Sequence, residues 1–161
     1  MVSTPRIAAA VAILGGLAVG ACHSGSGAAA APRPSCTLAT SALVGAKLGF
    51  PLTGPAVDQG PAATICTFNN PSNQAQSATV QISTDATSES FARTRSGFAT
   101  HGEIVTDLAG FGDQAYSATL TVANITNTTL VARRGGTEVL ITTTAPADRA
   151  LALMTAVLAL V

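Results

Sequence analysis

Charge is scarce in this chain of 161 residues: only 10% are Asp, Glu, Lys or Arg, against roughly 25% in ordinary soluble proteins. Eight basic residues offset eight acidic ones, so no basic surface exists to hold a phosphate backbone, and nucleic-acid binding is excluded. Trp is missing and aromatics reach only 4%, which leaves a sugar-stacking platform weak. Histidine occurs twice, at His23 and His101. The chain has no HExxH helix, no GxSxG elbow and no CxxC pair, the motifs that would mark a zinc protease, an esterase or a redox dithiol. No metal ligand set and no catalytic residue is therefore assigned. What remains is aliphatic: hydrophobic residues make up 47%, set among Ser, Thr, Asn and Gln.

The one long apolar run lies at the start. Residues 1–21 carry a single charge, Arg6, followed by "IAAAVAILGGLAVGA". That run is shorter than the ~20 residues needed to cross a bilayer. A positive start, an apolar middle and small residues before a boundary describe a secretory signal peptide. The boundary, Val19-Gly20-Ala21-Cys22, resembles the bacterial lipobox, where a peptidase cuts before a cysteine bearing diacylglycerol. The resemblance implies a lipidated Cys22, carrying diacylglycerol and an N-acyl chain such as palmitate, and no other cofactor. Each buried CH₂ contributes ~0.8 kcal/mol, so two or three acyl chains hold a protein on a membrane. Residues 22–35, rich in Gly, Ser and Ala and closed by Pro32 and Pro34, read as a tether. The domain then occupies residues 36–161, on the outer face of the cell membrane.

Cys36 and Cys66 are left for that domain. In an exported chain two cysteines argue for a disulfide, and the alternative is a pair of free thiols. In "TICTF", Thr64, Cys66 and Phe68 share one face of a strand, beside a large apolar ring. Closing a 30-residue loop stabilises by ~3.6 kcal/mol through chain entropy.

The pattern along the domain is helix, two strands, helix, several strands, helix. "SCTLATSALVGAKLGFP" has helical spacing and a Gly/Pro stop. "TGPAVDQGPA" reads as a loop, and "ATICTF" and "SATVQIST" as half-buried strands. "DATSESFARTRSGFATHG" is a second helix, with Asp85 as a candidate N-cap and Gly102 as its stop. Phe91 and Phe98 fall on the same side of it. "EIVTDL" is a short strand, and "TTLVARR" and "TEVLITTT" flank Gly135-Gly136 as a tight hairpin. "PADRALALMTAVLALV" forms the last helix. The expected fold is α+β, a largely antiparallel sheet with the helices packed on one face.

Taken together, the lipobox, the tether, the "CTL" helix start, the "CTF" strand and "GFGDQAY" resemble the small lipoproteins of mycobacteria and related actinobacteria. The resemblance implies a cell-envelope address and the Cys36–Cys66 pair, and little about activity. Two places invite a site. Gly112 and Asp113 in "GFGDQA" suit a cation or a ligand hydroxyl, or else a turn in which Asp113 accepts backbone N–H bonds. In the last helix Leu153 and Val157 widen the apolar stripe beyond one face, which suggests an aliphatic groove for an apolar ligand or an envelope protein. The expected function is non-catalytic binding at the envelope. The alternatives are a cell-wall hydrolase relying on Asp113 or Glu103 and a sensor-like or structural envelope domain.

Overall fold

The computed structural model describes residues 34–161; the signal-peptide stretch, Cys22 and nearly all of the tether lie outside them. After a 3-10 turn at Cys36–Leu38 come α1 (Ser41–Leu48), β1 (Thr53–Gln59), β2 (Ala63–Asn69) and β3 (Ser77–Ser83). The chain continues with α2 (Ser88–Thr100), β4 (Ile104–Asp107), β5 (Gln114–Val122), β6 (Ile125–Arg134), β7 (Thr137–Thr143) and α3 (Ala147–Leu158). All seven strands join one antiparallel sheet in the order β1-β2-β3-β7-β6-β5-β4. Two meanders, β1–β3 and β4–β7, thus meet where β3 pairs with β7, and α2 carries the chain between them. The α+β class and the order of elements agree with the pattern read from the sequence.

Burial alternates along β2 and β3 as their composition requires. Thr64, Cys66, Phe68, Val80 and Ile82 are buried, while Ile65, Thr67, Thr79, Gln81 and Ser83 on the other face are half-exposed. β5 and β6 behave differently, because Leu130, Val131 and Ala132 are buried in succession. Such an uninterrupted apolar run marks a strand covered on both faces. One face carries Leu130 and Ala132 into the main core with α1 and α3. The other places Tyr116, Ala118 and Val131 beneath Phe91 and Phe98 of α2. The expectation that every helix packs on one face is corrected: α1 and α3 share a face, and α2 covers the opposite one. Phe91 and Phe98 do face the same side, both meeting the Tyr116 ring edge-on at 5.1 and 6.1 Å.

Three local expectations also change. Thr40 caps α1 by accepting from the Leu43 N–H at 3.2 Å, so the first helix is split from the 3-10 turn before it. Asp85 takes a left-handed φ of 59° and does not cap; Thr87 and Ser90 form a reciprocal capping box instead. The stretch expected as a loop contains β1, whose Gly54–Pro55 peptide is cis and whose register shifts beside it. A proline is tolerated there because β1 is an edge strand, with no neighbour demanding its N–H.

α3 settles the ambiguous stripe. Leu153 and Val157 are fully buried, and so are Ala150, Met154 and Leu158. The helix packs against both the sheet and α1, meeting Val44 and Leu48 in the same cluster as Ile141 and Leu130. Two apolar neighbours consume a stripe too wide for one. Leu153 and Val157 are therefore core, not the lining of a groove, and that expectation is withdrawn. Among the described residues no helix is long and apolar enough to cross a membrane.

Candidate functional site

The 3-10 turn is short and lies over the sheet, held there by two links. Cys36 is bonded to Cys66 on β2, with Cα atoms 5.7 Å apart. The Thr64 hydroxyl donates to the Pro34 carbonyl at 2.7 Å. The turn cannot fill the space around it, and a recess opens on each side. One, of about 410 Å³, lies toward the edge strand and includes Pro55 and the exposed Val57. The other, of about 490 Å³, has Leu38, Ile82 and Val161 as its apolar wall, with Thr37, Thr84 and Thr137 around them. Both volumes fall in the range of small-ligand clefts, ~300–1,000 Å³. A third recess of about 570 Å³ lies on α1 and the turn after it. Its lining comes only from residues 41–52, so the tertiary fold adds nothing to it, and small residues dominate it.

The tertiary structure assembles both recesses beside the turn, and the one with Leu38, Ile82 and Val161 draws on the most distant segments. Its walls come from the segment before α1, from β3, from the start of β7 and from the chain end beyond α3. Apolar walls with hydroxyls at the margin fit an aliphatic or otherwise weakly polar ligand, with little capacity to hold a charge. Sequence reasoning missed these residues, since nothing local relates Leu38 to Thr137. The one available signal was the disulfide: once Cys36 is joined to Cys66, Leu38 must lie near the strand paired with β2.

Gly112 and Asp113 sit elsewhere, at the turn before β5. The Asp113 N–H donates to the Arg133 carbonyl at 2.7 Å. Its carboxylate accepts from the Gly135 N–H at 2.7 Å and stands 3.8 Å from the Arg133 guanidinium. Gly112 has φ +66°, and a Cβ there would collide with the Arg133 carbonyl oxygen; only glycine allows the approach. These contacts staple the entry of β5 to the β6–β7 hairpin, which turns at Gly135 with φ 57°. The structure thus gives "GFGD" the geometry of the backbone-bonded turn. Beside it, Glu138 pairs across the ladder with Arg133 and is buried. Burial raises the Glu138 pKa, and the Arg133 charge works against that rise.

The remaining titratable candidates are dispersed. His101 caps the end of α2 through its backbone N–H. Glu103, next to it, has its pKa raised by burial and drawn down by the His101 charge. Asp107, at the other end of β4, pairs with Arg95 at 2.9 Å. Among the described residues no three of His, Cys, Asp and Glu gather as a metal site. Tyr116 is fully buried, and its hydroxyl is the one buried side-chain polar atom described that lacks a hydrogen-bond partner. Desolvation first, and the charge of Glu138 second, push its pKa upward.

No protein-family model matches the chain, and searches of curated proteins and of solved structures find no significant match.

Proposed function

We propose that this chain is an exported lipoprotein, anchored to the outer face of the cell membrane through Cys22, that acts by binding rather than catalysis. The observation that carries the address is the Cys36–Cys66 disulfide, which belongs to an oxidising compartment and follows closely on a "VGAC" boundary. The binding site is the recess beside the 3-10 turn, and its ligand is apolar: a small lipid-like molecule, or an aliphatic side chain of an envelope protein. Leu38, Ile82 and Val161 supply the apolar wall. The Asp113 carboxylate is engaged by Gly135 and Arg133, which weighs against its use as a hydrolytic acid.

Two measurements test the reading. Metabolic labelling with an alkyne fatty acid should mark the native protein and leave Cys22→Ala unmarked; equal labelling of both removes the anchor. An anilinonaphthalene probe should brighten on binding the native domain and lose that response in Leu38→Arg, provided circular dichroism shows the variant folded. An unchanged response places the apolar site elsewhere.

A further inference from the structure

We infer that the tip of the β5–β6 hairpin is a second, reversible contact with the lipid surface. The ladder shows that the tip projects. β4 accompanies β5 only as far as Ile104↔Thr119, and β7 accompanies β6 only from Thr128↔Thr143. Beyond those pairs the two strands continue alone to Val122↔Ile125. Three residues at ~3.4 Å each carry the ribbon ~10 Å past its neighbours.

One face of the ribbon exposes large apolar side chains. Val122 is 60% exposed, Ile125 49% and Leu120 37%. Val122 and Ile125 are cross-strand partners, and Leu120 is two residues from Val122, so all three lie on one face. Residues 117–132 carry no charge at all. The opposite end of the same strands gathers Asp113, Arg133, Arg134 and Glu138 around the Gly135 turn. The β5–β6 ribbon is therefore polarised along its own length, with charged residues gathered at the Gly135 end and none at the tip.

A convex, uncharged projection of this height matches an interfacial membrane contact, in which apolar groups enter ~5–10 Å into the headgroup/acyl boundary. The chain outside the described residues has the necessary reach. Pro34 is bonded to Thr64, which lies in one row of the ladder with Ile82, Val139 and Ala132. From Ala132 to Ile125 is seven residues, ~24 Å along the strand. Cys22 and Pro34 are twelve steps apart along the chain, a span of at most ~42 Å when extended. An anchored Cys22 thus permits the far tip to touch the same membrane. The inference rests on the anchor in that respect, since the anchor supplies the local concentration that three aliphatic side chains need.

The chain has no Trp, so one introduced indole reports one place. Mature lipidated protein beginning at Cys22 and carrying Val122→Trp is reconstituted into phosphatidylcholine vesicles containing brominated acyl chains; Val57→Trp, on the far edge strand, serves as comparison. The expected result is blue-shifted emission and quenching severalfold stronger for Val122→Trp than for Val57→Trp, insensitive to high salt because the tip is uncharged. Adding Ile125→Asp, with the fold verified by circular dichroism, should abolish the difference. Protein that floats with the vesicles while the two indoles are quenched alike refutes the tip contact and leaves the anchor standing. Protein that neither floats nor is quenched refutes both. A blue shift that needs no lipid and grows with protein concentration refutes the lipid contact in favour of a second copy of the chain.

Discussion

Removing the disulfide is the perturbation with the clearest magnitude. Cys36 and Cys66 close a loop of sequence separation 30, which restricts the unfolded chain by ~3.6 kcal/mol at room temperature. Both cysteines are buried, so Cys36→Ala/Cys66→Ala adds a packing loss of about 1 kcal/mol. At ~4 °C per kcal/mol for a domain of this size, the melting temperature should fall by ~15–20 °C. That is a large fraction of the ~5–15 kcal/mol that a domain has in total. The effect is also local, because the disulfide and the Thr64–Pro34 bond hold the 3-10 turn on the sheet. The anilinonaphthalene response should therefore be lost at temperatures where the sheet is still folded. Urea melts followed by far-ultraviolet circular dichroism give the stability change. A loss below ~1 kcal/mol would refute the reasoning, since the loop constraint would then be absent or offset by native strain.

Three further outcomes are expected. Leu153→Ala should cost ~2–5 kcal/mol in urea melts, as for other fully buried leucines; a cost under 1 kcal/mol would return Leu153 to the surface. Tyr116→Phe should be neutral or stabilising by ~1 kcal/mol, because it removes a buried hydroxyl that has no partner; a clear destabilisation would show that the hydroxyl is bonded through water. Burial raises the Glu138 pKa above its ordinary 4.5, so in that window the folded state binds the proton more tightly than the unfolded chain does. Its contribution to stability is present at low pH and declines as pH rises from about 4.5 through the raised value. Urea midpoints measured across that range should show the decline in the native protein and a flatter profile in Glu138→Gln.

Much of the architecture was legible because its signals are local. Alternation in "TICTF" and "SATVQIST" assigns both strands and their buried faces, and Gly135-Gly136 marks a hairpin whose backbone needs a positive φ. Gly54 and Pro55 give β1 the composition of a loop, and an edge strand accepts them only because one side of it is free. Asp85 was a plausible cap by type; the capping box of Thr87 and Ser90 outcompetes it by satisfying donors at both ends.

The candidate sites were harder, for a physical reason. Composition shows how apolar a helix is, not how many neighbours cover it. Leu153 and Val157 looked surplus to one sheet face, yet α1 packs against α3 in the same core as the sheet and shares in burying its wide stripe. Gly112 and Asp113 looked like a ligand loop, yet their partners, Arg133 and Gly135, lie about twenty residues away. Strand patterns, the hairpin at Gly135, the cysteines available for pairing and the low charge are properties of neighbouring residues or of totals, and the chain determines them alone. Which face α2 covers, what buries α3, and that Leu38, Ile82, Thr137 and Val161 converge on one recess depend on pairing β3 with β7 across some sixty residues. Long-range pairing is set by the summed burial of the whole core, which no short stretch of sequence contains.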